Sequence, residues 1–212
     1  WATELERALS VGTEHISLYQ LTIERGTSFF SSYRNGAFCL PDEDISTQMF
    51  HITDEICNKV GLRAYEISNH AKAGAESKHN LNCWHGYDYV GIGPGAHGRI
   101  TIDKTCYETE QISSPENWLS SAKKHGHGTR HYQPISRHDR TEEIVMTGLR
   151  LTKGLERKRF EAQTRCELEQ NFNPRSVKIL LDNGLLELDE AGMRATKEGL
   201  LKLNAVIATL LN

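Results

Sequence analysis

The spacing of apolar residues predicts a strand, a helix and a second strand in the first third of the chain. Residues 15–24 (HISLYQLTIE) alternate apolar and polar side chains, which is typical of a half-buried β-strand. After a loop at residues 26–36, Pro41 opens a segment with apolar residues at helical spacings of four, three and four: Ile45, Met49, Ile52 and Ile56. Gly61 is expected to end this helix, and residues 62–67 follow as a second strand.

Alternating strands and helices indicate α/β architecture, in which we expect the strands to be parallel. Ligands of such sheets bind beyond the carboxyl ends of the strands. The segment after Ile67 begins at such an end. We therefore expect a functional site in the residues that follow it.

The last third of the chain shows helices followed by a hairpin. Residues 141–151 are predicted to be helical, and Asn173-Pro174 marks a further helix start, with Asn as the cap. Strands are predicted at residues 185–188 and 193–196, joined by an Asp-Glu-Ala-Gly turn. A terminal helix carries apolar residues at spacings of three, four and three: Leu200, Leu203, Ile207 and Leu210. This order gives a winged-helix outline.

The region between these two patterns is less regular. A short helix is predicted at residues 115–124, and the histidines that follow it suggest a solvated linker: His125, His127 and His131. We place a domain boundary near Ser136, which divides the chain into residues 1–136 and 137–212.

Composition narrows the class of protein. The 212 residues are 38% hydrophobic and 25% charged, with a formal net charge of −3, which argues against a nucleic-acid binder that relies on bulk electrostatics. No apolar run approaches the roughly 20 residues that a membrane helix needs, and no signal peptide is visible. The chain starts at Trp1 in what looks like the end of an amphipathic helix, so we expect a piece of a longer protein.

The five cysteines are widely scattered, with gaps of 18, 26, 23 and 60 residues: Cys39, Cys57, Cys83, Cys106 and Cys166. None of these gaps matches the close spacing of zinc or iron–sulfur ligands. An odd, scattered set favours reduced thiols and a cytoplasmic location.

Side chains that can bind metals or transfer protons are most concentrated in residues 65–98, which contain four histidines, one cysteine and alternating glycines. His79 and Cys83 are four residues apart, so on a helix they would share a face and could ligate a metal or haem. Alternatively, the neighbouring asparagines indicate a polar loop with hydrogen-bonded histidines. The GIGPG segment at residues 91–95 is open to three interpretations: a phosphate-binding loop, a wall that approaches a flat ligand closely, or a tight turn.

Several motifs in order make the chain recognisable: HISLYQLTIERGTSF, LPDED, YEISNHAKAG, SKHNLNCW and YVGIGPGAHG. Together they resemble the oxygen-independent coproporphyrinogen III oxidase family, and they are most similar to its haem-chaperone branch. The resemblance implies an α/β fold: the C-terminal part of a partial, TIM-like radical S-adenosylmethionine barrel, followed by a small helical winged-helix-like domain. In the full-length family, the barrel holds a four-iron, four-sulfur cluster and S-adenosylmethionine.

The resemblance also implies roles for individual residues. One set matches the wall of the S-adenosylmethionine pocket: Thr22, Gly91, Gly93, Gly95 and His97. A second set matches the HNxxYW pattern associated with haem: His79, Asn80, Cys83 and Trp84. Cys83 stands where the family has a tyrosine, and Arg25 stands where it has a proline. The family's CxxxCxxC cluster motif is missing from this chain, so no catalytic residue is assigned and the chain alone is expected to be inactive.

Three functions remain open. The first is a haem-binding chaperone fragment that passes haem to an acceptor protein. The second is a true oxygen-independent coproporphyrinogen III oxidase, which decarboxylates two propionates of a porphyrinogen. The third is a non-enzymatic interaction or DNA-binding module. The acidic turn at Asp189 and Glu190 argues against DNA binding, because it would repel phosphates. We expect no nucleic-acid partner, and missing barrel strands would leave an apolar sheet edge that favours self-association.

Overall fold

Short helices and short strands alternate through the computed structural model, which describes all of residues 1–212. The helices are α1 (Ala2–Leu9), α2 (Ser28–Arg34), α3 (Glu43–Lys59), α4 (Lys78–Trp84), α5 (Pro115–His125), α6 (Arg137–Gly148), α7 (Arg157–Thr164), α8 (Pro174–Asp182), α9 (Lys197–Leu201) and α10 (Leu203–Leu211). The strands are β1 (His15–Ser17), β2 (Arg63–Ala64), β3 (Asn69–Ala71), β4 (His97–Ile102), β5 (Thr105–Gln111), β6 (Thr129–Pro134), β7 (Leu155–Glu156), β8 (Leu186–Leu188) and β9 (Gly192–Ala195).

The structure is mixed α/β, with three small sheets of three strands each and no closed barrel, as fits part of a barrel fold. Its contacts divide the chain into two units, residues 1–76 and residues 77–212. The boundary predicted near Ser136 lies inside the second unit and stays a prediction. No helix combines the length and the apolar character needed to cross a membrane.

The first unit is a β1–β3–β2 sheet packed with α1 and α3. Its core is formed by four buried residues: Leu5, Ile56, Cys57 and Leu62. As predicted, α3 follows Pro41 and stops before Gly61, whose φ of 78° suits a helix end. The Asp42 side chain begins α3 by accepting a hydrogen bond from the Ile45 amide at 2.8 Å.

Two predictions for this unit were wrong, and a third held only in part. The strand predicted at residues 15–24 is ordered as β1 over only three residues, and the loop predicted at residues 26–36 contains α2. Neighbouring strands pair antiparallel, because β3 lies between β1 and β2 and is antiparallel to each. The two predicted strands, β1 and β2, therefore run in the same direction, as expected, but are not paired with each other.

The second unit begins with α4 and continues into an antiparallel β4–β5–β6 sheet, which the sequence did not predict. The β4–β5 turn consists of Asp103 and Lys104, both with positive φ (47° and 68°). Glycine or asparagine normally marks such a two-residue turn, so this one carries no clear sequence signal. His131, predicted to lie in a linker, belongs to β6.

The C-terminal part contains the predicted capped helix and hairpin, whereas the predicted terminal helix is divided into α9 and α10. The Asn173 side chain caps α8 by accepting a hydrogen bond from the Arg175 amide at 2.9 Å. Strands β8 and β9 pair as the predicted hairpin, with Leu188 opposite Met193. The additional strand β7 pairs with β9 and completes the sheet.

Candidate functional site

The HNLNCW segment folds as α4, a helix of seven residues capped by Ser77, whose hydroxyl accepts a hydrogen bond from the Asn80 amide at 3.3 Å. This result favours the helical interpretation of the segment over the loop. His79 and Cys83 lie one turn apart, with Nε2 and Sγ separated by 3.9 Å. His79 is exposed and Cys83 is half-buried. The helix therefore brings the two predicted ligands together.

The other two residues of the predicted haem segment lie elsewhere on the helix. Asn80 is half-buried next to the cap. The ring of Trp84 is covered by the Arg150 guanidinium, whose central carbon lies 4.5 Å from the ring centroid. Trp84 is thus engaged by the C-terminal part of the chain and is not an open stacking platform.

The C-terminal end of α4 is held by side chains from α6 and α7. Gln163 Nε2 donates to the carbonyl oxygens of His85 and Gly86 at 2.9 and 3.2 Å, and Arg140 Nη2 also donates to the Gly86 carbonyl. Gly86 has a φ of 68°, and a Cβ there would lie 3.2 Å from Ile144. The end of the helix is consequently fixed by close packing as well as by hydrogen bonds. The sequence did not predict this contact, because its residues are distant along the chain.

His85 is excluded as a free iron ligand by its neighbour. Arg159 Nη1 lies 2.6 Å from His85 Nδ1, and because a guanidinium only donates, Nδ1 must accept. Neutral His85 then carries its hydrogen on Nε2 and offers no lone pair there. Burial, and then the nearby Arg159 charge, lower the pKa of His85. The ring therefore stays neutral at pH 7.

Partial burial shapes the chemistry beside α4. Burial raises the pKa of the Cys83 thiol. It also raises the pKa of the Tyr89 hydroxyl. The resting state of Cys83 is accordingly the thiol, and a cationic partner is needed to stabilise its thiolate.

A largely buried ion network ties the sheet of this unit to α6. Glu143 accepts from Arg99 Nε at 2.8 Å and from Arg140 Nη1 at 2.6 Å, so one carboxylate serves two guanidinium groups. Arg99 lies on β4, and Arg140 also holds the Gly86 carbonyl at the end of α4. The network thereby links β4, α6 and α4. No local sequence pattern indicated it.

The glycine loop is shaped mainly by close approach to its own chain. A Cβ at Gly91 would lie 2.3 Å from the His97 carbonyl oxygen, and Gly95 donates its amide to the Ile112 carbonyl at 3.0 Å. Gly93, with a φ of 99°, faces open space, and His97 is exposed at the start of β4. The loop leads into a strand, which removes the helix N-terminus that a phosphate-binding loop would use.

Thr22 belongs to the first unit, where it is exposed in a segment without regular structure. The same unit contains a polar cluster that the sequence did not predict. Fully buried Glu66 accepts from Asn69 Nδ2 at 2.5 Å, and Asn69 Oδ1 accepts from the Ser17 hydroxyl at 2.5 Å. The YEISN motif contained both Glu66 and Asn69, yet only the β1–β3 register shows that Ser17 joins them.

Metal-ligating side chains are dispersed. No group of three His, Cys, Asp or Glu residues is arranged to hold a metal ion, and all five cysteines are free thiols. A four-iron, four-sulfur cluster needs a set of converging thiolates. The residues of this chain do not fit such a cluster, and we derive no reaction step through it.

Comparison with known proteins finds relatives with similar descriptions. The model of the HemN C-terminal domain matches residues 135–201. The chain is 37% identical over 217 residues to mouse "Radical S-adenosyl methionine domain-containing protein 1, mitochondrial", covering all of this chain and 49% of that protein. It is 33% identical over 207 residues to "Heme chaperone HemW" of Bacillus subtilis, covering 98% of this chain and 53% of that protein.

Among solved structures, coproporphyrinogen III oxidase (HemN) from Escherichia coli, a radical SAM enzyme, matches with a TM-score of 0.70 and 16% identity. The match covers 98% of this chain and 50% of that one. At this identity the likeness shows the fold. The chain thus spans about half the length of the proteins that it matches.

Proposed function

We propose that this chain, which is related to the C-terminal region of the HemN and HemW radical S-adenosylmethionine proteins, supplies the haem-holding segment of a haem chaperone. The observation that carries the proposal is the pairing of His79 and Cys83 on α4. Imidazole nitrogen and thiolate sulfur are both axial ligands of haem iron. Haem is the cargo here, which the chaperone passes to an acceptor protein.

The surroundings of α4 support this function. A carrier site needs one accessible ligand and a fixed support, so that cargo binds without disordering the protein. His79 is exposed, whereas the far end of the helix is held by Arg140 and Gln163. Because Arg150 covers the Trp84 ring, we assign Trp84 to positioning the helix. Asn80 contributes through the helix start, where its amide donates to the cap.

Haemin titration of the purified chain tests the proposal. We expect saturable binding of one haem per chain, with a Soret band distinct from that of free haemin. The double substitution of His79 and Cys83 by Ala should abolish that band. His125→Ala is the matched control, because His125 is an exposed histidine at the end of α5. A spectrum that is unchanged in the double variant would refute the site.

Radical chemistry belongs to the longer protein in this proposal. Thr22, Gly91, Gly93, Gly95 and His97 are proposed contacts of S-adenosylmethionine there, and the exposed His97 and open Gly93 are consistent with contact to a ligand. The cofactor would supply a radical precursor once a cluster was present. In the longer protein, His97→Ala is expected to weaken S-adenosylmethionine binding, as measured by calorimetry.

The oxidase and DNA-binding alternatives receive less support. The fold likeness to HemN does not by itself indicate decarboxylation of propionates. In the wing, Arg194 pairs with Glu187 at 2.6 Å and with Asp189 at 2.7 Å, so its charge is already neutralised. That arrangement favours a module without a nucleic-acid partner. Self-association through a sheet edge and a cytoplasmic location stay predictions.

A further inference from the structure

His79 and Cys83 are alternative ligands for one iron, and we propose that its oxidation state selects between them: Cys83 sulfur binds ferric haem and His79 nitrogen binds ferrous haem. The proposal rests on the haem-binding function above and adds a mechanism for changing the strength of binding. It concerns residues of this chain, since the family pattern has a tyrosine at position 83.

Geometry allows only one of the two ligands at a time. The donor atoms lie 3.9 Å apart on one face of the same helix. A porphyrin fills the four equatorial positions of its iron, so two axial ligands must approach from opposite faces of the ring. A ring placed between His79 and Cys83 would cut through the helix that carries them. The pair must therefore compete for one face of the haem.

The same short separation makes exchange feasible. Iron–sulfur and iron–nitrogen bonds are about 2.3 and 2.0 Å long, by analogy with zinc. Iron bound to one ligand therefore lies within a small displacement of the other. His85 cannot take part, because its Nδ1 accepts a hydrogen bond from Arg159. His79 has no such charged partner on its ring, and its Nε2 faces only the Cys83 sulfur.

The net charge of the iron centre determines which ligand each oxidation state prefers. Ferric iron in a porphyrin leaves a net charge of +1, which a thiolate neutralises. Ferrous iron in a porphyrin is neutral, so a thiolate there would leave an uncompensated negative charge at half-buried Cys83, which partial burial penalises. Neutral imidazole adds no charge. Each oxidation state therefore has one ligand that leaves the iron centre neutral.

The exchange balances as a one-electron reduction. The ferric centre accepts one electron from a one-electron reductant, the iron–sulfur bond breaks, Cys83 sulfur takes one proton from solvent, and the lone pair of His79 Nε2 forms the new iron–nitrogen bond. Oxidation reverses these steps. Haem held by a thiolate is thereby converted into haem held by one neutral imidazole, a form suited to transfer.

The test uses the full chain loaded with one equivalent of haemin, before and after reduction by dithionite under anaerobic conditions. Absorbance and electron paramagnetic resonance report the ferric ligand, and the Soret position of the ferrous carbon monoxide complex reports the ligand after reduction. Cys83→Ser should remove the ferric thiolate signature and leave the ferrous spectrum unchanged. His79→Ala should do the reverse and weaken ferrous haem binding by about tenfold or more.

Controls separate the exchange from its premise. Cys39→Ser removes an exposed thiol of the first unit and should change neither spectrum, and circular dichroism establishes that each variant folds. If wild type binds one haem but keeps the same ligand in both oxidation states, the exchange is refuted while haem binding stands. If neither variant alters a saturable spectrum, or if no saturable binding occurs, the proposed site itself fails and the exchange fails with it.

Discussion

Replacing Glu143 by Gln should destabilise the second unit by about 2–3 kcal/mol. The substitution keeps the shape of the side chain but removes the charge that two guanidinium groups share, at 2.8 Å from Arg99 Nε and 2.6 Å from Arg140 Nη1. Breaking a fully buried ion pair costs about 3–5 kcal/mol. The side chains here are 11–23% exposed, so solvent screens part of the penalty. A loss of 2–3 kcal/mol lowers the folding equilibrium constant by roughly 30- to 150-fold.

Urea unfolding followed by tryptophan fluorescence measures this effect. Trp84 and Trp118 report the second unit, and a Trp1→Phe background removes the signal of the first. Glu142→Gln is the matched control, because Glu142 is the adjacent residue of α6 and pairs only with His138, whose side chain is 80% exposed. It should change the free energy of unfolding by less than about 0.5 kcal/mol. Equal effects of the two substitutions would refute the idea that this network holds the unit together.

Three further predictions concern packing, acid stability and thiol reactivity. Gly199→Ala places a Cβ 1.9 Å from a backbone carbonyl oxygen and should cost more than about 3 kcal/mol in urea unfolding, whereas Gly184→Ala meets no atom and should cost about 1–2 kcal/mol for its positive φ. Burial lowers the pKa of His70, so the unfolded chain binds a proton at this histidine more readily than the folded chain does. The free energy of unfolding should therefore be constant above about pH 6.5 and fall below it. His70→Gln should flatten that fall in unfolding experiments at pH 5.5 and 7.5, and an unchanged pH dependence in the variant would contradict this. Burial raises the pKa of the Cys57 thiol to about 11, whereas Cys39 is exposed. Mass spectrometry after alkylation should therefore find Cys39 modified first and Cys57 modified only on unfolding. Early labelling of Cys57 would show that the core opens readily.

The sequence predicted those elements that are determined by residues close together along the chain, such as helix caps and amphipathic spacing. Helix α3 was readable from the spacing of its apolar stripe, and α8 from Asn173-Pro174, because caps and amphipathic periodicity act over a few residues. Helix α4 was predicted as one of two possibilities, because the spacing of His79 and Cys83 fits a helix while the asparagines fit a loop. The β4–β5 hairpin was missed, since its turn is Asp103-Lys104 and lacks glycine.

The support of the candidate site could not be read from the sequence, because it joins residues far apart along the chain. Arg140 and Gln163 hold the end of α4 from more than fifty residues away, and Arg159 fixes the protonation of His85. The HNLNCW motif and the spacing from Cys83 already favoured His79 in the sequence, and the guanidinium on His85 Nδ1 adds a structural reason against His85. Motif order thus indicated the segment that we propose holds haem, and the tertiary hydrogen bond to His85 leaves His79 as its candidate nitrogen ligand. The same reasoning explains why Cys83 matters: its thiol lies within one helical turn of His79, with Sγ 3.9 Å from Nε2, and so gives the proposed site a choice of ligands.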